Sequence, residues 1–591
     1  DAQGRVLYEV DGLGNETRYR YDSEGNLLST IDASNNKTLM EYDLLGRVAR
    51  ERQTSAGLHD PAATSDRVYV YRPDGNVDYI TDRNGRSRRF GYDGLDRVTV
   101  EQWFIGSDPY AIGETIVSQL KWKYDKLGRE VSNQTQLASD APIYTNPTAA
   151  YQIDYNESRT YDRLDRITTA SNFNGAITGY AVTQTYTHDQ VDPTAAGEFA
   201  GYDYKLDVNP NAPGGVYALP HYASDALGRI VAMEEVATAA TESIADKRIE
   251  YHYDDAGRQT ATRRRVGTGL DGQVFDTAFT YDAAGRLQEI AHSNAAGQTV
   301  VHAYAYDNAS RITQIDSRTR IDAFRRDRAE SFVFDAAGRL TDWSRNVATP
   351  GGTTNNETDG WSLDATGNRS DGAVGAHNRP ASDGTYNYTY DAEGNLERRE
   401  YQSDADVFTT YAWDHRNRLI EIAEHADPGN QTTTGYTRYV YNNEDLRVLK
   451  LVTGVDTAGD EQFVSIEHYV YDSDQLAAEL AGGTTDTPPS QSELNGTAAQ
   501  MQRRVHSGPT VDDPVLEEVF RDIDDAGVDA VFFGSDSREK GLFWAATDHA
   551  GSVRDVLTGS GSTLSLREHF EYGAFGEIDE RLDAAGASIN G

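Results

Sequence analysis

Tyr42-Asp43-Leu44-Leu45-Gly46-Arg47-Val48 is the stretch whose reading decides the fold. It returns as Tyr281-Asp282-Ala283-Ala284-Gly285-Arg286-Leu287 and as Phe334-Asp335-Ala336-Ala337-Gly338-Arg339-Leu340. A further close variant is Tyr390-Asp391-Ala392-Glu393-Gly394-Asn395-Leu396. The chemistry is that of a β-hairpin. Asp at the first position of a type I turn accepts backbone N–H groups two residues on. Gly three residues later supplies the positive φ that such a turn with a G1 bulge requires. That geometry sets Asp43 against Arg47 and Tyr42 against Val48, in cross-strand pairs worth roughly 0.2–1 kcal/mol each. One pair is minor; a ladder of them sets a register.

Aligned on the turn Asp, eighteen copies begin at residues 1, 22, 43, 72, 93, 125, 162, 225, 254, 282, 307, 335, 364, 391, 414, 442, 472 and 548. Only Arg72 and Asn442 depart from Asp at that position. Twelve copies carry Gly three residues on, and Asp96, Asp165, Ser310, Asn417, Asp445 and Gln475 replace it in the others. Four of these six are Asp or Asn, which best tolerate the left-handed region after Gly. Substitution therefore follows backbone strain. The next residue is Arg in eleven copies, as in Asp93 with Arg97 and Asp125-Lys126-Leu127-Gly128-Arg129, and Asn in four. A rule repeated eighteen times is structural, because an active site needs no such copies.

The first units are 21 residues long, from Asp1 to Asp22, Asp22 to Asp43 and Arg72 to Asp93. Weaker turns start at Asp11, Asp32 and Asp82, near the middle of three units. Turns every ten or so residues leave strands of about six, in an up-and-down antiparallel meander. The fold class is all-β: a long antiparallel sheet of hairpins, with its turns along the edges of one continuous spiral. Strand-like pieces at 180–186 and 202–206 fill the wide gap between Asp162 and Asp225. The Gly/Thr/Pro/Ser-rich segment 481–500 reads as a mobile loop and 515–523 as a short helix, while 581–591 reads as a frayed tail.

One repeat running through 591 residues argues for a single array. The chain is 38% apolar and has a mean hydropathy of −0.66, low for a thick core, yet its 36 Tyr are too many for disorder. Polar residues on both faces of many strands predict a sheet that is wet on both sides, one face outward and one onto a cavity. A net charge of −40 argues against nucleic acid and anionic membranes as partners. Cysteine is absent, and no apolar run reaches the about 18 residues of a membrane span. The chain opens inside a repeat, which reads as a fragment of something longer.

The ordered run of these strings resembles the YD-repeat (Rhs) family, from Asp1 to about Ile578. The end carries the resemblance too. Tyr469-Val470-Tyr471-Asp472 leads to His506-Ser507-Gly508-Pro509, then to Asp548-His549-Ala550-Gly551-Ser552-Val553-Arg554 and to Tyr572-Gly573-Ala574-Phe575-Gly576. The resemblance implies a hollow shell at 1–480, a closing segment of the core at 481–580 and a flexible tail at 581–591. Such shells occur in Rhs polymorphic toxins, in the C component of Tc toxins, in cell-wall-associated toxins and in teneurins. In the toxins the cavity holds a variable C-terminal polypeptide, released by an Asp-dependent self-cleavage segment that has no match here. The resemblance thus implies a secreted or surface-displayed, non-catalytic container whose partner is a fused or neighbouring cargo polypeptide. A teneurin-like adhesin or surface fibre that binds glycans or proteins is the alternative. A β-propeller-like glycosidase fits least, since the turns carry no site residues and the period is shorter than a blade.

Other sites read blandly. Asp548, His549 and Ser552 invite a nucleophilic reading, but His549 falls inside the eighteenth turn, where a turn or packing role is the default. His506 has no carboxylate at ligand spacing. Asp512-Asp513 and the acids at 522–525 lack the alternating Asp loop of a calcium site. The sequence therefore assigns no catalytic, cofactor or metal residue.

Overall fold

The computed structural model describes residues 1–54, 66–137, 145–146, 149–150, 154–174, 181–191, 200–208, 216–217, 221–235, 247–266, 272–321, 323–348, 354–370, 372–425, 433–455, 461–472, 475–482, 500–507, 514–519, 523–524, 537–538, 541–550, 552–558, 565–572, 578–583 and 588. The hairpin is built as its chemistry requires. Asp43 N–H donates to Arg47 O at 2.9 Å, and Gly46 N–H returns to Asp43 O at 3.0 Å. Gly46, Gly285, Gly338 and Gly394 have φ of 76°, 82°, 85° and 102°. The residues that replace Gly adopt the same region, with φ of 61° at Asn417 and 60° at Asp96. Tyr42 pairs with Val48, and the ladder slips by one residue between Glu41 and Tyr42, which is the bulge.

The copy at Asp472 differs. Asp472 pairs with Gln475 and Tyr471 with Leu476, one residue tighter than Tyr42 with Val48. Gln475 thus stands opposite Asp472 in the ladder, where the other copies place the positive-φ turn residue.

Two large antiparallel sheets carry the described residues, one of 27 strands from Tyr8–Val10 to Thr354–Gly360 and one of 16 from Ala373–Val374 to Ile578–Asp583. The expected single sheet is thus interrupted once, at 361–372, where only the bridge between Leu363 and Arg369 remains. Polar groups here bond to an earlier part of the chain in place of a ladder partner. Thr366 Oγ1 meets Ser34 Oγ at 3.0 Å, and Asn378 Nδ2 donates to Asp32 Oδ2 at 2.9 Å.

These contacts begin a series. Gly12 lies so close to Ala336 that a Cβ would fall 2.0 Å from its carbonyl oxygen, so glycine is required there. Arg86 Nη1 then donates to Trp413 O at 2.7 Å and Thr135 Oγ1 to Asn443 Oδ1 at 2.6 Å. Gln184 Nε2 donates to Tyr471 O at 2.6 Å, His292 Nε2 lies 3.0 Å from Thr547 O, and Arg345 Nη1 donates to Tyr572 O at 3.1 Å. Both partners rise together along the chain. The sheet therefore winds as a spiral, with each later coil laid in parallel on the one before.

The largest apolar cluster joins two coils. Met233, Ile249, Phe275 and Ile321 come from the earlier coil, and Trp544, Leu557, Leu566 and Leu582 from the later. Leu582 is buried in strand Ile578–Asp583, so the chain stays in the sheet for the first three residues of the segment expected to fray. Among the described residues of 515–523 the expected helix does not form. Strand Pro514–Val519 pairs with Gly541–Thr547 and Ile523–Asp524 with Ser537–Arg538, so tertiary pairing overrides local propensity. Strands Ala181–Val191 and Ala200–Val208 fill the gap after Asp162 as expected. The loop expected at 481–500 lies outside the described residues between 483 and 499. No helix among the described residues is long and apolar enough to cross a membrane.

Candidate functional site

The repeated turn is a relay between neighbouring hairpins. Asp43 Oδ1 accepts the N–H groups of Leu45 and Arg47 at 2.8 and 3.0 Å, and its Oδ2 accepts Arg47 Nε at 2.7 Å. The same clamp joins Asp93 to Arg97, Asp125 to Arg129, Asp282 to Arg286 and Asp335 to Arg339. Asn395 replaces the arginine and donates to Asp391 at 2.9 Å.

The arginine then reaches the next hairpin. Arg286 Nη1 donates to Asp307 O at 3.1 Å while its guanidinium lies 4.6 Å from the Tyr306 ring centre. Tyr306 Oη donates back to Leu287 O at 2.6 Å. Arg129 and Tyr161 repeat the arrangement at 4.8 Å, and Arg258 covers Tyr281 at 4.5 Å. Arg379 covers Tyr390 at 5.8 Å. Each repeat thus holds its own turn and the ring of the next. Sequence reasoning found the clamp but missed the stacking, whose signal was the aromatic residue preceding nearly every turn Asp. Cation–π contacts of this kind contribute about 0.5–1 kcal/mol at exposed sites.

Strain at the turn glycine gives a direct test. An ideal Cβ on Gly285 would sit 3.3 Å from Arg258 Nη1, at a φ of 82° that β-branched residues resist. Gly285→Val is expected to cost about 1–3 kcal/mol, whereas Ala284→Val on the exposed tip stays within about 0.5 kcal/mol. Equal melting shifts for the two variants would refute the assignment.

The first two tip residues of the later turns, after the Asp, form the seam between coils. Buried Glu393 accepts the Arg83 N–H at 2.6 Å and Arg83 Nη1 at 3.2 Å, and pairs with Arg67. His415 Nε2 lies 2.8 Å from Phe104 O, and Arg416 Nη2 donates to Glu101 Oε2 at 2.7 Å. Asn443 meets Thr135, and Glu444 pairs with Arg159. The turn at Asp548 belongs to this series. Arg554, six residues on, donates its Nε to Asp548 Oδ2 at 2.7 Å and covers Tyr572 at 4.6 Å. The His549 N–H donates to Tyr304 Oη at 3.1 Å, and its ring meets the Tyr304 ring edge-on at 4.9 Å. Gly551, Phe575, Gly576 and the acids at 512–513, 522 and 525 lie outside the described residues. Among the described residues, no three His, Asp or Glu side chains converge to hold a metal ion.

Two acid windows follow. Burial holds His415 down at about 4 and His292, beside Arg264, at about 3, against an ordinary 6.5. The unfolded chain then binds more protons below pH 6.5, so stability falls as pH drops from 6.5 toward 4. The backbone N–H and side chain of Arg47 hold the Asp43 carboxyl below its ordinary 3.8, and the Arg286 side chain does so first at Asp282. That stability is present above 3.8 and is lost as pH falls through the depressed values. Urea midpoints measured from pH 7 to 2 should decline in both windows, and His415→Gln should flatten the first. An unchanged decline in that variant would remove the seam histidine from the account.

Residues 221–474 match the family profile Teneurin YD-shell, and residues 1–37 and 21–58 match RHS Repeat. No curated protein matches the chain. Among solved structures, that of TcdB2-TccC3-TEV is 14% identical over 97% of this chain and 27% of its own, with a TM-score of 0.55. TcdB2-TccC3-Cdc42 is 15% identical over 99% of this chain and 28% of its own, at 0.56. TcdB2-TccC3 without its hypervariable C-terminal region is 15% identical over 100% and 28%, at 0.55. The chain thus spans little more than a quarter of the length of these proteins, and the likeness is one of fold.

Proposed function

We propose that the chain, which matches the YD-shell and RHS-repeat profiles over parts of its length, is a shell-forming YD-repeat protein whose shell is a container without catalysis of its own. In this reading residues 1–480 form the wall, 481–580 close it, and a fused or neighbouring C-terminal polypeptide is carried inside. The protein works outside the producing cell, secreted or displayed at its surface. One observation carries the reading. Along strands Val48–Thr54 and Asp66–Tyr71 the residues of both faces are only half-buried, although each coil is sealed to the next. A wall one sheet thick exposes both its faces, whereas a solid globule does not. A wet inner face suits a polypeptide held without a fold of its own, because it offers hydrogen bonds in any register.

Small-angle scattering tests the shape. The radius of gyration should lie well above the roughly 25 Å of a compact domain of 591 residues. A value at or below that figure would mean a solid globule, and the container would have to be abandoned. A protease-sensitive polypeptide appended at the C-terminus should resist trypsin while the shell is folded, and become sensitive when the shell is unfolded. In the second reading, a teneurin-like adhesin or surface fibre, the appended polypeptide is cut at once and the outer wall carries the activity.

A further inference from the structure

Asn84 and Gly85 stand together at the tip of the turn Asp82-Arg83-Asn84-Gly85-Arg86, on the seam between coils. An asparagine side chain is a latent electrophile. The amide nitrogen of the next residue attacks its Cγ, the Cγ–Nδ2 bond breaks, and a five-membered succinimide closes as ammonia leaves with the nitrogen's proton. Water then opens the ring at either carbonyl. One product is aspartate, and the other is isoaspartate, whose main chain runs through the β-carbon. Glycine favours the attack, because it has no Cβ to shield its nitrogen or to restrict the backbone. The chain supplies every reactant except water.

The closed seam ties both reacting groups down. Gly85 N–H donates to Asp82 O at 3.0 Å, which keeps the nitrogen in its own turn. Asn84 Nδ2 donates to Asp391 Oδ2 at 2.9 Å and its Oδ1 accepts the Ala392 N–H at 3.0 Å, which keeps the amide on the later coil. Nucleophile and electrophile are thus held by different coils, although Asn84 is exposed and open to water. We propose that Asn84 is a self-modification site guarded by the seam. Where the coils part, Asn84 converts to isoaspartate or aspartate, and the product keeps them apart.

Neither product can take the place of the amide. Isoaspartate adds a main-chain carbon between residue 84 and Gly85. That breaks the clamp in which Asp82 accepts the N–H and Nε of Arg86 at 2.8 and 2.7 Å. Both arginines of the turn then lose their seats on the later coil, Arg83 on Glu393 and Arg86 on Trp413 O. Aspartate keeps the spacing but sets a carboxylate oxygen against Asp391 Oδ2, where an N–H donor stood. Asp391 cannot turn away, because its own oxygens accept the N–H groups of Gly394 and Asn395 and Asn395 Nδ2 at 2.8 to 2.9 Å. Like charges so placed repel. A local opening that would otherwise reverse thus becomes permanent.

The full chain is incubated at mildly alkaline pH, native and unfolded in urea, then digested. Peptides holding residues 84 and 85 are followed by mass and by an isoaspartate-specific methyltransferase. Conversion should be slower in the native chain by roughly tenfold or more, because it follows the opened fraction. Glu393→Gln removes the charge that Arg67 and Arg83 bind, so this variant, folded by circular dichroism, should convert faster than the native wild type. If it does not fold, wild type in urea below its midpoint supplies the same comparison. After removal of urea, the converted chain should regain less hydrogen-exchange protection at 82–86 and 391–395 than a chain refolded at once. Asn84→Gln closes its larger ring far more slowly and keeps the Asn-Gly pairs at 174, 495 and 590, so the two treatments should leave its protection equal. Equal conversion rates in the native and unfolded wild type, no faster conversion when the seam is weakened, or full protection in the converted chain would each overturn the proposal.

Discussion

Trp544→Ala is expected to lower the free energy of unfolding by about 3–5 kcal/mol, as for other large-to-small changes at a fully buried aromatic residue. Trp544 is fully buried in the cluster that joins two coils. Its ring stands edge-on to Phe275 at 6.5 Å and 86°, so its loss removes an aromatic pair as well as buried area. Phe275, Met233 and Ile249 line one side and Leu557 and Leu566 the other. The void would therefore open between coils, where neither can close it alone. The indole Nε1 has no hydrogen-bond partner, and Trp544→Phe removes that buried donor while keeping a ring, so it should cost less than alanine. Hydrogen exchange gives the specific check. Strand Lys247–Tyr253 should lose protection together with Gly541–Thr547, which it does not pair with. Loss confined to Gly541–Thr547 would mean that the cluster does not couple the coils.

The sequence was most legible where the cause of a structure lies within a few residues. Asp43, Gly46 and Arg47 make one turn, and their roles follow from φ and from a clamp spanning four residues. The stacking of Arg286 on Tyr306 was not foreseen, because sheet pairing and not the turn places them side by side. The seam was illegible for a stronger reason. Glu393 and Arg83 are 310 residues apart, and a charged residue on a turn tip has solvent as its default surroundings. Only winding reveals that the tip of one coil is the interior of a contact. Winding also explains the misreadings near the end, since Glu517 and Glu518 look helical until Leu542 and Phe543 pair with them. The same reasoning limits the candidate site. His549 was read as a turn residue, and the structure adds its Tyr304 partner from 245 residues away, which no local pattern announces.

Glu101→Ala should destabilise the protein by about 3–5 kcal/mol, the cost of leaving half of a buried ion pair uncompensated. Glu101 is 3% exposed in strand Val98–Phe104. It accepts Trp103 Nε1 at 2.8 Å and Arg416 Nη2 at 2.7 Å, with Arg88 Nη1 at 3.4 Å. Burial alone would push its carboxyl up, yet the hydrogen bond and charge of Arg416 hold it below the ordinary glutamate value. Arg416 is committed on its other side as well, donating Nη1 to Asn443 O at 3.1 Å and to Asp445 Oδ1 at 2.9 Å. The pair therefore ties a strand of one coil to two turns of the next. Glu41→Ala is the contrast, because its side chain is 61% exposed and its Arg50 partner lies 3.8 Å away; it should cost no more than about 1 kcal/mol. The double change Glu101→Leu with Arg416→Met removes both charges and should recover most of the loss, since a buried pair and an apolar pair of similar size are often close in stability. Urea midpoints of the two single variants and the double variant measure this directly. If the double variant is as unstable as the sum of the singles, the two residues act independently and the seam is not held by their charge.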